Sequence, residues 1–404
     1  AGLFVVGLSD TTDAPVEGNE IATIVQRAVQ VQARLDLPVG EGELRGRGWL
    51  AWRTHGITAP LRDEALADLF PGARLETRLP LEGHAEIVLG TVAERHEYRF
   101  ERDGDSRRTP YGFADPYASL EVGEDLRAQL GARLTTLFAS DQLPRAGLSP
   151  RGSLRWRATK RLSLVGELGE YHQAPNLSTL LATPDGPYLD LERSRGLTAG
   201  LRVDTGSLAL GLDLWARSVE DRARMERDGS MGQLEGRARG IESTLRVDHR
   251  QTRIQLIAQV SRSELREEPG DGWSASMYDQ PLRLNAVVVQ RLPRAWSVAA
   301  RWRYGSGFPA HPEVTEAFDL LTQESVEVVI DDSGRLRPYY ALDLKTSRRF
   351  TWRSWRLDAY VDIQNGPRRR VPEPAINGFD DAIVAYGFGL PILPIFGVDA
   401  VFWP

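Results

Sequence analysis

Apolar and polar residues alternate one by one along most of the chain, which places them on opposite faces of extended strands. In the stretch 27–37 the odd positions from Val29 onward are apolar, and the even positions from Gln30 onward are polar. The same alternation recurs at 208–216, 252–260 and 355–364. Strands of ten residues or more, wet on one face only, are long enough to cross a bilayer when tilted.

The connections between these stretches alternate between short and long. Long segments rich in Gly, Pro, Asp and Arg include 56–72 and 102–116, and the longest lie at 305–337 and 366–394. The short ones have the length and composition of tight hairpin turns. They lie at 40–42, 82–84, 123–125, 159–161, 204–207, 249–252, 292–295 and 350–353.

With a first strand at 2–8 and a last strand at 396–403, the count comes to about eighteen strands. We therefore predict an all-β fold, a transmembrane antiparallel up-and-down β-barrel with short periplasmic turns and long extracellular loops. Trp296 and Tyr304 share a face roughly 26 Å apart, at about 3.3 Å per residue, which matches the spacing of two aromatic girdles. At about 22 residues per strand, we expect residues 1–404 to form one barrel domain without a plug domain.

Composition narrows the class of protein further. The 404 residues contain 56 acidic and 50 basic side chains, so a nucleic-acid partner is not expected. No apolar run reaches the roughly 18 residues of a membrane helix. Cysteine is absent, and the small residue Ala1 fits a mature exported chain after signal cleavage. The expected location is integral in the bacterial outer membrane.

A soluble all-β protein, such as a propeller, is the competing fold. Its strands also alternate, but they are shorter and recur in repeats of about 40 to 50 residues with their own motif. No such repeat occurs in this chain, and the barrel is the favoured prediction.

Several stretches resemble the C-terminal part of the TonB-dependent outer-membrane receptors. The stretch 149–175 resembles a mid-barrel hairpin of that family, with a Ser-Pro-Arg entry and an aromatic-His-Gln-x-Pro exit. The stretch 189–203 resembles the following strand. Four further stretches resemble the last strands of that family: YGSGFP at 304–309, PYYALDLKTSRRF at 338–350, WRLDAYVDIQN at 355–365 and FGVDAVFW at 396–403.

The resemblance implies an outer-membrane barrel that passes or helps import a solute. Members of the family normally carry a plug and a TonB-engaging box inside a 22-stranded wall, for which 1–404 has no room, so no functional residue carries over. Two alternatives stay open. The chain could be a structural barrel that anchors or scaffolds an envelope complex, or a fragment of a longer receptor. Expected partners are outer-membrane lipid and lipopolysaccharide, with a separately encoded plug or envelope protein as a further candidate.

The inward faces of the predicted strands carry charges of both signs. An arginine-lined selective passage is one interpretation. The favoured alternative is a polar lumen that neutralises itself through ion pairs. The lumen-lining candidates are Arg155, Arg157, Glu167, Arg283, Arg301, Arg303, Asp343, Lys345, Arg356, Asp358 and Asp362.

Catalytic, cofactor and metal sites are not predicted. Asp331, Asp332 and the pair Asp380-Asp381 could supply oxygens to Ca²⁺, but they lack the spacing of a known loop and fit turns better. The six histidines are scattered, with no pair at i, i+4. No nucleophile motif points to an enzyme.

Overall fold

The computed structural model describes the chain in segments, and its secondary structure is almost entirely β. None of the described residues forms a helix long and apolar enough to cross a membrane. A single turn of 3₁₀ helix lies at Pro293–Ala295. The described residues are 2–16, 20–59, 62–102, 105–139, 144–174, 190–225, 231–267, 270–310, 316–319, 324–327, 334–364, 372–376, 383–388 and 392–402.

The described residues form 23 strands. In chain order these are β1 Gly2–Val16, β2 Glu20–Val39, β3 Gly42–Ala59, β4 Arg62–Leu81, β5 Ala85–Arg102, β6 Asp105–Val122, β7 Leu126–Ala139, β8 Arg145–Arg157, β9 Leu162–Gln173, β10 Glu192–Asp204, β11 Leu208–Met225, β12 Met231–His249, β13 Thr252–Arg266, β14 Ser274–Ala275, β15 Leu282–Leu292, β16 Trp296–Gly305, β17 Glu316–Asp319, β18 Glu324–Glu327, β19 Tyr339–Thr351, β20 Trp355–Gln364, β21 Pro372–Ile376, β22 Ile383–Phe388 and β23 Leu393–Phe402.

Eighteen of these strands form the wall, an antiparallel meander in which each strand pairs with the next. The other five, β14, β17, β18, β21 and β22, lie in the connections. The predicted all-β, up-and-down architecture of about eighteen strands is confirmed.

All eight predicted short turns join neighbouring wall strands on one side of the sheet. At Gly40 and Gly123 the backbone adopts φ of 61° and 100°, a conformation that glycine reaches without the steric cost of a Cβ atom. Each tight turn fixes the register of its hairpin and therefore decides which side chains share a face.

The predicted loops at 56–72 and 102–116 are wrong, because strands occupy most of both segments. β3 continues to Ala59, where it pairs with Arg62 of β4, and β6 begins at Asp105. β1 likewise extends to Val16, beyond the predicted end of the first strand. These wall strands run further from the short turns than the apolar alternation indicates.

One face of the wall is apolar near the short turns. On β7, Leu126, Leu130 and Leu134 alternate with polar residues and are exposed, as expected for side chains that face lipid. Further from the turns the same face becomes charged, as on β5, where Arg95 and Glu97 are exposed. On long strands such as β5 the apolar band therefore covers the half next to the short turn, and the strand projects beyond it.

The two longest connections are tied together. β17 and β18 lie between β16 and β19, while β21 and β22 lie between β20 and β23. Together they form a four-stranded sheet in which β17 pairs in parallel with β22. The described strands of the two longest predicted connections, 305–337 and 366–394, thus associate with each other.

Candidate functional site

The inner face of the wall is the candidate site, because the alternation places its polar side chains away from lipid. On β2 the residues Val29, Val31 and Leu35 are exposed on the apolar face, whereas Arg34 and Asp36 occupy the other face, as predicted. Residues directly opposite on paired strands share a face, so the register extends this assignment from strand to strand.

Eight of the eleven predicted lumen residues lie on β15, β16, β19 and β20, which are consecutive in the wall. Arg303 Nη2 lies 3.0 Å from Asp343 Oδ2, and Arg356 Nε lies 3.3 Å from Asp358 Oδ2. Asp358 also accepts a hydrogen bond of 2.7 Å from Arg349. Basic and acidic side chains therefore neutralise each other on this face. The eight are Arg283, Arg301, Arg303, Asp343, Lys345, Arg356, Asp358 and Asp362.

The register on these strands places opposite charges side by side. Arg301 stands opposite Asp343, and its Nε donates to the side-chain oxygen of Asn285 at 3.3 Å. Lys345 stands opposite Asp362, with Nζ 3.9 Å from the ring centroid of Tyr360. We call the inner face of β15, β16, β19 and β20 the paired face.

The other three predicted residues lie on a separate part of the wall. Arg155 and Arg157 are on β8 and Glu167 is on β9. Arg157 approaches Asp125 at the adjacent short turn, at 3.4 Å, and Arg155 stands opposite Arg127. Glu167 pairs in register with Ser153. The structure therefore brings the predicted residues together in two groups rather than one.

A row of three arginines was missed by the sequence analysis. Arg34 of β2 stands directly opposite Arg47 of β3, which in turn stands directly opposite Arg74 of β4. Like charges placed directly opposite on neighbouring strands are destabilising. We call Arg34, Arg47 and Arg74 the arginine row.

The arginine row borders a concave pocket of about 240 Å³ on the inner face. Two acids of the pocket lining hold its outer members: Arg34 Nε lies 2.8 Å from Asp36, and Arg74 Nη2 lies 2.6 Å from Glu76. Tyr117 donates to Glu76 at 2.6 Å and accepts from Arg74 at 3.1 Å. The pocket is lined by Arg34, Asp36, Arg45, Gly46, Arg47, Arg74, Glu76 and Arg78.

A buried histidine cluster on the same side of the wall was also missed. His96 of β5 stacks between aromatic rings, with centroids 4.9 Å from Phe70 and 4.6 Å from Tyr111. Its Nδ1 lies 3.3 Å from Asp68 and its Nε2 lies 3.1 Å from Glu94. An imidazole that faces a carboxylate at each ring nitrogen can donate to both only in its doubly protonated form.

His96 lies past the apolar stretch of β5, since its neighbours on the outer face of that strand are Arg95 and Glu97. Burial acts to lower the pKa of His96, but hydrogen bonds to Asp68 and Glu94 outweigh burial and raise the pKa above its usual value. The positive charge of Arg53, 2.7 Å from Asp68, helps to balance the two carboxylates.

The described residues contain no group of three or more His, Asp or Glu side chains arranged to hold a metal ion. The Ca²⁺ candidates Asp331, Asp332, Asp380 and Asp381 lie outside the described residues.

A family model described as "TonB dependent receptor-like, beta-barrel" matches residues 47–365. That match covers most of the wall, including the paired face and two members of the arginine row. No curated protein matches the sequence.

Solved structures of outer-membrane transporters share the fold at low sequence identity. The ferric citrate transporter FecA superposes with a TM-score of 0.70 at 11% identity, covering 95% of this chain and 62% of that one. The ferric-catecholate import receptor Fiu from E. coli K12 gives 0.66 at 12% identity, covering 95% and 64%. The copper transporter OprC gives 0.66 at 15% identity, covering 99% and 69%. The chain thus spans less than two thirds of the length of FecA and Fiu.

Proposed function

The chain belongs to the TonB-dependent receptor β-barrel family, and on that premise we propose that it passes a solute across the bacterial outer membrane. The observation that carries the proposal is the contrast between the two faces of the wall: apolar outside near the short turns, charged inside. A charged inner face surrounds water or a polar solute, because an unsolvated charge next to lipid is costly.

The structural neighbours support import as the direction of transport. Fiu is an import receptor for ferric catecholates and FecA is a transporter of ferric citrate, while OprC is a copper transporter. The matched family and these neighbours are described as receptors and transporters. We propose outer-membrane transport for this chain, but not the particular solutes of these neighbours.

The surroundings of the barrel follow from the same two faces. We propose that outer-membrane lipid covers the apolar band and that lipopolysaccharide meets the charged outer face beyond it, where Arg95 and Arg99 are exposed. Inside the wall, a lumen of this size is open to water unless a protein segment fills it. The proposed state of residues 1–404 is a barrel without a plug, with passive passage of solute or a separately encoded plug.

Single-channel recording of the purified full chain in a planar lipid bilayer tests the proposal. A stable ohmic current is expected from an open lumen. A folded barrel shows its state independently, because a β-barrel migrates differently on a gel before and after boiling. Silence from a barrel that passes this control would contradict passive passage and favour the alternative, a structural barrel whose lumen is filled by a partner.

A further inference from the structure

We infer that the arginine row binds an oxyanion, and that the solute carried through this lumen bears carboxylate or phosphate groups. The identity of the ligand as a passing solute rests on the proposed function. The binding site itself rests on the charge balance and geometry of β2, β3 and β4.

The charge balance around the pocket leaves one arginine in excess. Asp36 is paired with Arg34, and Glu76 is held by both Arg74 and Arg78. Two more acids at the edge are also engaged, since Glu43 lies 2.6 Å from Arg45 and Glu86 lies 3.4 Å from Arg78. Five arginines thus face four carboxylates.

The excess charge is Arg47, at the centre of the row. Among the described residues no ion pair or hydrogen bond involves its side chain, which is exposed to the pocket. An arginine on each side in register raises the electrostatic cost of its charge. An anion bound at Arg47 would offset that repulsion on both sides at once.

The geometry of the flanking arginines leaves donors for such an anion. Arg34 meets Asp36 through Nε, and Arg74 meets Glu76 and Tyr117 through Nη2. A guanidinium carries five N–H donors in a planar fork that matches the oxygens of a carboxylate or phosphate. The other nitrogens of both side chains take no part in those contacts, and Arg47, which stands between Arg34 and Arg74 in register, supplies a complete fork.

The pocket has room for the group. Its volume of about 240 Å³ is several times the roughly 30 Å³ that one water molecule occupies in the liquid. A phosphate or carboxylate with part of its hydration shell therefore fits between the strands without displacing the wall.

The paired face provides a matched control. Arg301 of β16 lies five residues after the start of its strand, as Arg47 does on β3, and both side chains are exposed. The difference lies in their neighbours, because Arg301 stands opposite Asp343 and Arg47 stands opposite two arginines. Loss of either arginine removes the same charge from the same level of the lumen.

The test is titration calorimetry of the detergent-solubilised full chain with inorganic pyrophosphate and, separately, malonate, at low salt. We expect at least one probe to bind, Arg47→Gln to weaken binding about tenfold or more, and Arg301→Gln to change it less than about twofold. Arg47→Lys keeps the charge without the fork and should give an intermediate affinity. It also serves as the second variant if Arg47→Gln fails the gel-shift control for folding.

Absence of binding by both probes would overturn the inference, as would equal losses in Arg47→Gln and Arg301→Gln. Binding is measured at equilibrium and needs no passage through the lumen. A silent bilayer recording combined with binding that depends on Arg47 would therefore refute the proposed transport while supporting the site. Conductance without binding would refute the site alone.

Discussion

The inner face of β2–β4 and the paired face both carry arginines, but the neighbours of these arginines on adjacent strands differ in charge. On the paired face, Arg301 and Lys345 each stand opposite an aspartate on the neighbouring strand. In the arginine row, Arg34 and Arg74 pair with acids two residues along their own strands. Those acids, Asp36 and Glu76, stand opposite Arg45 rather than opposite Arg47. Cross-strand neighbours in the arginine row are then all basic.

If the arginine row binds an oxyanion as inferred above, register rather than composition decides whether a charged lumen face binds a ligand. Opposite charges across a ladder contribute to the pairing of the strands and satisfy each other, whereas like charges weaken it. A face of the first kind stabilises the wall. We expect a face of the second kind where a bound anion neutralises the excess positive charge. The substitutions below test the difference between the two faces.

Charge reversal in the centre of the row should have the largest effect. Arg47→Glu gives the row the alternating charges of the paired face, with a carboxylate between Arg34 and Arg74. We expect pyrophosphate affinity to fall by about 100-fold or more, since an attractive fork becomes a repulsive charge. Calorimetry with Arg301→Glu as the matched control checks this, and comparable losses in both variants would erase the distinction between the two faces.

The wall beside the row should be sensitive to added volume. A Cβ atom on Gly72 would lie 2.3 Å from the ring of Trp49, whereas one on Gly166 of β9 meets no atom within 4 Å. Gly72→Ala should therefore lower the free energy of unfolding by about 1–3 kcal/mol, and Gly166→Ala should be close to neutral. Urea unfolding followed by the gel shift measures both; equal stabilities would show that Trp49 moves aside freely.

Removing an acid from the paired face should make it resemble the row. Asp343→Asn leaves Arg303 without its carboxylate at 3.0 Å and Arg301 without an acid opposite. A second, weaker pyrophosphate-binding step is the expected outcome, together with a loss of roughly 1–3 kcal/mol in stability. A titration that still fits one site would indicate that an excess arginine alone does not create an anion site.

Stability should depend on pH through His96, with the smallest effect of the four. The folded-state pKa of His96 is raised, so its contribution is fully present below the usual imidazole value of 6.5 and is lost as pH rises through the folded-state pKa. Wild type should therefore lose more stability than His96→Gln between about pH 6 and pH 9. Parallel unfolding curves for both proteins across that interval would rule out a charged imidazole between Asp68 and Glu94.

Much of the strand register can be predicted from the sequence. Tight turns set hairpin registers, so the predicted turn at 40–42 already pairs Arg34 with Arg47. The pairing of Arg47 with Arg74 was not predictable, because the segment 56–72 was expected to be a loop, whereas β3 pairs with β4 as far as Ala59 and Arg62. The apolar alternation fades there because the outer face beyond the bilayer does not need to be apolar.

Eight residues of the paired face were named from the sequence as lumen-lining candidates, because the alternation alone assigns their face. Its strands β15, β16 and β20 are short, at 10 or 11 residues, and follow the alternating pattern over most of their length. The histidine cluster shows the limit of such reasoning. Asp68, His96 and Tyr111 come from three strands whose outer halves do not sustain the apolar alternation, and only the register of β4, β5 and β6 brings them together.

Current through single barrels in the presence of pyrophosphate tests transport and anion binding together, because block of the current requires both an open lumen and a functional arginine row. We predict that pyrophosphate reduces the ohmic current of wild type and of Arg301→Gln in a concentration-dependent manner, and leaves the current of Arg47→Gln nearly unchanged. Equal block of all three proteins, or a wild-type current insensitive to pyrophosphate, would contradict anion binding by the arginine row in an open lumen.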